Sequence, residues 1–196
     1  MSDPAFFGYG SLVNLRTHDY ASPRKAKIKG WRRIWQQSGN RPVAFLSVHP
    51  VQNAEIEGLI AEVPGANWAA LDEREHAYNR VDVTKTLNAD TATAIYVGDP
   101  SMMAPRNSDH PILLSYLDVV VQGYLNEFGK SGVARFFETT DGWDAPILND
   151  RIRPIYPRHL DLTQKERALT DAFLKSLGAE VITTNDPQAS EFWPDP

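Results

Sequence analysis

Through the first half of the chain, apolar positions alternate with polar ones or gather in short runs, the pattern of strands. Phe6 and Phe7 form a brief aromatic run that stops at Gly8-Tyr9-Gly10-Ser11-Leu12, so a strand is expected to lead into a loop there. Residues 43–48, 57–63, 81–87 and 92–97 read as further strands, the second ended by Pro64-Gly65 and the last by Gly98-Asp99-Pro100. The second half changes period. Leu117, Val120, Val121, Tyr124 and Phe128 recur at helical spacing, with Ser115 and Asp118 resembling a capping box and Gly129 closing the helix. Thr163 with Glu166 opens another helix, Gly178 ends it, and Ala168, Leu169, Ala172, Phe173 and Leu177 form its expected buried face. Strands followed by helices predict an α+β fold rather than a doubly wound sheet. One domain over residues 1–184 with a surface tail at 185–196 is expected.

One predicted helix carries a misplaced charge. Residues 67–78 read as a short helix between the Pro64-Gly65 turn and the next strand. At about 100° per residue, Trp68, Leu71, Glu75 and Tyr78 share one narrow sector, while Glu73 and Arg74 point further away. An apolar stripe therefore contains a carboxylate. A solvated glutamate on a ragged helix face has the same spacing. If Glu75 is buried, desolvation raises its pKa, which suits proton transfer near neutral pH.

Composition narrows the chemistry. The chain has 196 residues, 42% of them hydrophobic and 23% charged, which suffices for an ordinary core. A net charge of −5 and the absence of any basic block argue against a nucleic-acid partner. The run from Arg24 to Lys29 fits the solvated flank of a strand. There is no cysteine, so disulfides, thiol nucleophiles and thiolate metal sites are excluded. No signal peptide and no membrane span is expected, and a cytoplasmic location follows as the expectation.

The glycine loop can be tested by counting. Val13 stands where a dinucleotide fingerprint needs its third glycine, and no Gly-Lys-Ser/Thr follows for a phosphate-binding P-loop. Ser11 lacks the G-x-S-x-G bracket of a nucleophile elbow. Two readings stay open: a plain strand-to-loop turn, or a nest of backbone N–H groups aimed at an anion. His18, His49, His76, His110 and His159 have no metal-ligand spacing, and nothing local supports a Ser11 triad. Arg151, Arg153 and Arg158 flank a tyrosine between prolines; they suit either a carboxylate-binding fork or ion pairs of a surface loop. The Gly30-Trp31-Arg32-Arg33 turn has the same two readings.

The segments FGYGSL, KGWRRIW, EGLIAEVP and LDEREHAYNRV, in this order, resemble the gamma-glutamylcyclotransferase-like superfamily, in its ChaC-like and AIG2-like branches. GWRR and DEREHAY are most similar to the ChaC-like branch. HPILLSYLDVVVQG resembles the family's Pro-x-x-x-Tyr helix start, although Tyr116 here lies five residues after Pro111. These segments cover roughly residues 5–125. The resemblance implies a mixed β-barrel with flanking helices and a cavity. It also implies cofactor-free cleavage of a small γ-glutamyl amide with release of 5-oxoproline. Residue by residue, it matches the substrate-holding loop to Tyr9, Gly10, Ser11 and Leu12, the catalytic glutamate to Glu75, and the later tyrosine to Tyr116. The family loop has a hydrophobic residue, or no fixed one, before its tyrosine; Gly8 adds backbone freedom here. Two other functions stand beside this one: a non-catalytic binding protein using the same cavity, and a serine hydrolase using Ser11.

Overall fold

The computed structural model describes residues 3–105 and 110–183. Two long strands carry the architecture: β2 (Ala21–Gln37) and β3 (Ala44–Glu62) pair antiparallel along almost their whole length. The short β1 (Ala5–Gly8) lies against the end of β3 on one side and against β5 (Thr93–Gly98) on the other, with Phe7 opposite both Ile60 and Ile95. Being interior to the sheet, β1 is buried throughout, which is why it reads as an unbroken aromatic run. β4 (Tyr78–Asp82) forms the edge beyond β5. At the other end β3 pairs with β6 (Ile112–Leu113), which leads through β8 (Ile147–Leu148) to β9 (Val181–Ile182), while β7 (Thr140–Asp141) pairs with β2. Among the described residues the sheet is mixed and runs from β4 to β9, with β2 and β7 branching from β3. The helices are α1 (Ala69–Arg74), α2 (Thr84–Leu87), α3 (Leu114–Glu138) and α4 (Gln164–Leu177). The fold is the α+β class expected from the order of strands and helices. No described helix is long and apolar enough to cross a membrane.

Several elements differ from the sequence expectation for physical reasons. The strands expected at 43–48 and 57–63 are one strand, because β2 supplies partners through the polar stretch between them. Gly30-Trp31-Arg32-Arg33 is no turn: it lies within β2, where Gly30 at φ +81° sits at a register shift between Lys29 and Trp31. The Arg24–Lys29 run belongs to the same strand, with Ile28 buried. The strand expected at 81–87 stops at Asp82, whose carboxylate accepts the Thr84 N–H at 3.0 Å and starts α2. Gly129 does not end the helix expected from Ser115. It adopts φ +68° and kinks α3, which resumes to Glu138.

The expected box at Ser115 and Asp118 is replaced by tertiary contacts. Asp150, far along the chain, accepts from the Ser115 N–H at 2.7 Å and from its hydroxyl, while Asp118 binds Arg151. The box at Thr163 and Glu166 forms with both of its reciprocal bonds, and Gly178 caps α4 in the left-handed region. α4 buries Thr170 and Leu174 and rests Leu169 and Phe173 against the core, Phe173 stacking on Phe137 at 4.7 Å. Ala168, Ala172 and Leu177 face out, so the true stripe is rotated from the expected one. The tail expected at 185–196 lies outside the described residues.

The β1–β3 contact is tight where it fixes the loop. A Cβ on Gly58 would fall 2.3 Å from the Gly8 carbonyl oxygen and 2.6 Å from the Phe7 ring. Gly58→Ala is therefore expected to destabilise the fold by about 1–3 kcal/mol through overpacking. A urea titration checks this, and an unchanged midpoint would show that β1 can shift without cost.

Candidate active site

The loop after β1 is fixed from below by buried groups. Ser11–Val13 make a single 3-10 turn, with the Val13 N–H donating to the Gly10 carbonyl at 2.9 Å. Gly8 permits the fold-back: a Cβ there would lie 2.7 Å from Leu12 Cβ. The Tyr9 hydroxyl donates to the Tyr96 carbonyl at 2.6 Å. The Tyr9 carbonyl accepts from Arg33 Nε at 3.1 Å and from the Tyr124 hydroxyl at 3.0 Å. Arg33 is 1% exposed, and its remaining donors go to Thr139 Oγ1, the Glu57 carbonyl and the Tyr124 hydroxyl. Its guanidinium also lies 5.0 Å from the Tyr124 ring centroid and 5.2 Å from that of Phe136. Asn14 locks the far end of the loop to α3 through the Val119 carbonyl at 2.9 Å and Gln122 at 3.0 Å.

The predicted helix over 67–78 is shorter than its pattern. α1 ends at Arg74, and Glu75 is its C-cap, with its N–H donating to the Leu71 carbonyl at 2.9 Å. Tyr78 already belongs to β4, and its hydroxyl donates to the Leu46 carbonyl at 2.8 Å. The shared sector still has consequences: Leu71 is fully buried, and Glu75 turns inward with its side chain 15% exposed. Burial raises the Glu75 carboxyl above the ordinary carboxylate range, opposed by Arg74 and by Arg158.

Arg74, placed away from this face by the helical sector, reaches it instead. Its Nε lies 3.2 Å from Glu75 Oε1, and the same guanidinium donates to Ser11 Oγ at 3.1 Å and to Thr17. Because Glu75 has left the helix, neighbouring side chains are no longer held about 100° apart.

Tyr116, near the start of α3, completes the enclosure. Its hydroxyl oxygen is 2.8 Å from the point that a Gly10 Cβ would occupy, so glycine at position 10 admits the phenol. Burial, with Tyr156 and Glu75 adding to it, raises the Tyr116 hydroxyl well above an ordinary tyrosine. The structure thus brings Tyr9, Gly10, Ser11, Leu12, Glu75 and Tyr116 into the lining of one recess of about 30 Å³, together with Tyr78 and Tyr96. Ser11, Glu75, Tyr78 and Tyr116 also line an outer chamber of about 250 Å³, whose further walls include Phe45, Leu113 and Tyr156.

The arginine-rich segment divides. Arg151 is engaged by Asp118 at 2.7 Å and Asp171 at 2.8 Å, as in the ion-pair reading, whereas Arg158 lines the outer chamber. The sequence reading missed Arg33, Arg74 and Tyr96 as parts of the site, and placed Tyr78 beside Glu75 without giving it a role. Arg74 is adjacent to Glu75, and Arg33 lies in the conspicuous GWRR segment, but neither spacing reveals a buried partner. Among the described residues no group of three or more histidine or acidic side chains is placed to hold a metal ion.

Comparison with known proteins adds to this geometry. A family model described as gamma-glutamyl cyclotransferase, AIG2-like, matches residues 6–117. That span contains the glycine loop, Glu75 and Tyr116. A solved gamma-glutamyl cyclotransferase is similar over 89% of this chain and 99% of its own, with a TM-score of 0.54 at 14% identity. An uncharacterized protein from Homo sapiens is similar over 86% of this chain and 96% of its own, with a TM-score of 0.51 at 13% identity. At these identities the two structures speak for the fold. A search of curated proteins gave no match.

Proposed function

The chain belongs to the gamma-glutamyl cyclotransferase, AIG2-like family, and on that premise we propose that it cleaves a γ-glutamyl amide to 5-oxoproline and a free amine. The observation that carries this reading is that Glu75 and the loop residues Gly10, Ser11 and Leu12 line the same recess. Nucleophile and electrophile belong to one substrate molecule, so folding and orienting it supplies much of the acceleration. The α-ammonium loses a proton to Glu75 and the amine attacks the γ-carbonyl carbon, forming the ring C–N bond. As the amide C–N bond breaks, Glu75 returns the proton to the departing nitrogen. Charge on the γ-carbonyl oxygen during this sequence needs fixed donors. The N–H groups of Gly10 and Leu12 have no acceptor among the described residues and suit that role. Arg74, bonded to both Ser11 and Glu75, holds base and loop in register.

Incubation with a panel of γ-glutamyl amino acids, glutathione and γ-glutamylamines, followed by assay of 5-oxoproline, tests the reading. A base must be ionised to act, and Glu75 is raised, so kcat/KM is expected to fall with decreasing pH from above the ordinary glutamate value of about 4.3. An acid limb at or below that value would remove Glu75 as the base. The 3.2 Å pair with Arg74 would also serve a purely structural carboxylate. The corresponding reading, a binding protein, predicts thermal stabilisation by these compounds with no 5-oxoproline from any.

A further inference from the structure

We propose that the outer chamber is a subsite for an anionic leaving group, so that Arg41 and Arg158 select γ-glutamyl compounds whose released amine carries a carboxylate. This rests on the cyclotransferase reading of the recess. With the γ-glutamyl end directed to the loop and Glu75, the remainder of the substrate projects into the chamber, whose 250 Å³ suits a leaving group of amino-acid size.

The charges around this chamber are unequal. Its lining contains Arg41, Arg74, His76 and Arg158 against the single carboxylate of Glu75. Arg74 is already engaged by Glu75, Ser11 and Thr17. Arg41 and Arg158 are different: among the described residues neither guanidinium makes a hydrogen bond or an ion pair. They reach the chamber from separate parts of the chain, the loop between β2 and β3 and the segment after β8. Two arginines that are more enclosed are met by carboxylates, Arg32 by Asp141 and Arg151 by Asp118 and Asp171. A planar guanidinium matches a carboxylate through paired N–H donors. Phe45, Leu113 and Tyr156 give the same chamber an apolar wall, suited to the side chain of an amino acid. A diamine leaving group, by contrast, would bring an ammonium against two unpaired cations.

The test compares γ-glutamylalanine with γ-glutamylethylamide, whose leaving groups differ only by the carboxylate. The wild-type protein is expected to prefer γ-glutamylalanine by about tenfold or more in kcat/KM, mostly through KM. The preference should fall as salt is raised, because both arginines are solvent-accessible. In the double variant Arg41→Gln with Arg158→Gln, the ratio of the two kcat/KM values should collapse toward one. Equal wild-type efficiencies, or a ratio unchanged in the double variant, would overturn the subsite. Thermal stabilisation by the same two compounds gives a readout independent of turnover. Greater stabilisation by γ-glutamylalanine, lost in the double variant, supports the subsite; equal stabilisation overturns it. Failure of every γ-glutamyl compound to yield 5-oxoproline overturns the cyclotransferase reading instead, and the binding comparison then decides the subsite by itself.

Discussion

Replacing Glu75 with glutamine is expected to lower kcat for 5-oxoproline release by about a thousandfold while leaving the fold in place. Glutamine has nearly the same shape and can still accept a hydrogen bond from Arg74, which lies 3.2 Å from the carboxylate. It cannot take the proton from the substrate ammonium. General-base contributions of this kind amount to roughly 10²–10⁴ in rate. The burial that raises the Glu75 carboxyl also means that its charge costs free energy in the folded state. The melting temperature of the variant should therefore stay close to the wild-type value or rise slightly. Measuring kcat for 5-oxoproline release alongside the thermal transition separates the two effects. Substantial activity in a folded Glu75→Gln protein would remove Glu75 as the proton carrier. If the binding reading holds, the same substitution alters ligand-induced stabilisation and there is no turnover to lose.

The second large effect is expected at Arg33, where stability and site geometry meet. The side chain is 1% exposed, and among the described residues no carboxylate lies within ion-pair distance of it. Its charge is instead surrounded by the carbonyls of Tyr9 and Glu57, the hydroxyls of Tyr124 and Thr139, and two aromatic faces. Arg33→Met removes the donors and leaves these buried acceptors without them, each a loss of about 1–3 kcal/mol. A net destabilisation of about 3–5 kcal/mol is expected, lowering the melting temperature by roughly 10 °C. Arg33→Lys keeps the charge but cannot span the same acceptors, so it should recover only part of that loss. Calorimetry on both variants measures this. A lysine variant as stable as the wild type would show that charge alone, rather than the planar fork, is what the interior requires. Because Arg33 holds the Tyr9 carbonyl, both variants should also raise KM for any ligand of the loop.

The parts of this protein that were legible in sequence are those set by local pattern. The α4 cap was readable because Thr163 and Glu166 satisfy each other within one turn. β1 and β5 were readable as short apolar runs bounded by glycine or proline. The continuity of β3 was not readable, because its polar middle is kept extended by the partner strand β2 and not by its own composition. The start of α3 misled in the same way: Ser115 and Asp118 have the spacing of a box, yet Asp150 and Arg151 take both partners.

The site divides along the same line. The sequence by itself determined that position 75 sets a carboxylate on an apolar stripe, and that the loop after β1 is neither a nucleotide fingerprint nor a nucleophile elbow. Both follow from residue spacing, which needs no knowledge of the fold. Only the tertiary structure decided that loop and carboxylate share one recess, since they are brought together by β1, β3 and β5 from distant parts of the chain. It also decided that Arg74 joins Glu75 to Ser11, because α1 ends at Arg74 and Glu75, the next residue, leaves the helical geometry. And it separated Arg151 from Arg158, which look alike in sequence. The fold sets two carboxylates against one and leaves the other at a chamber whose single carboxylate, Glu75, is held by Arg74, and a charge takes its function from the neighbours that long-range packing supplies.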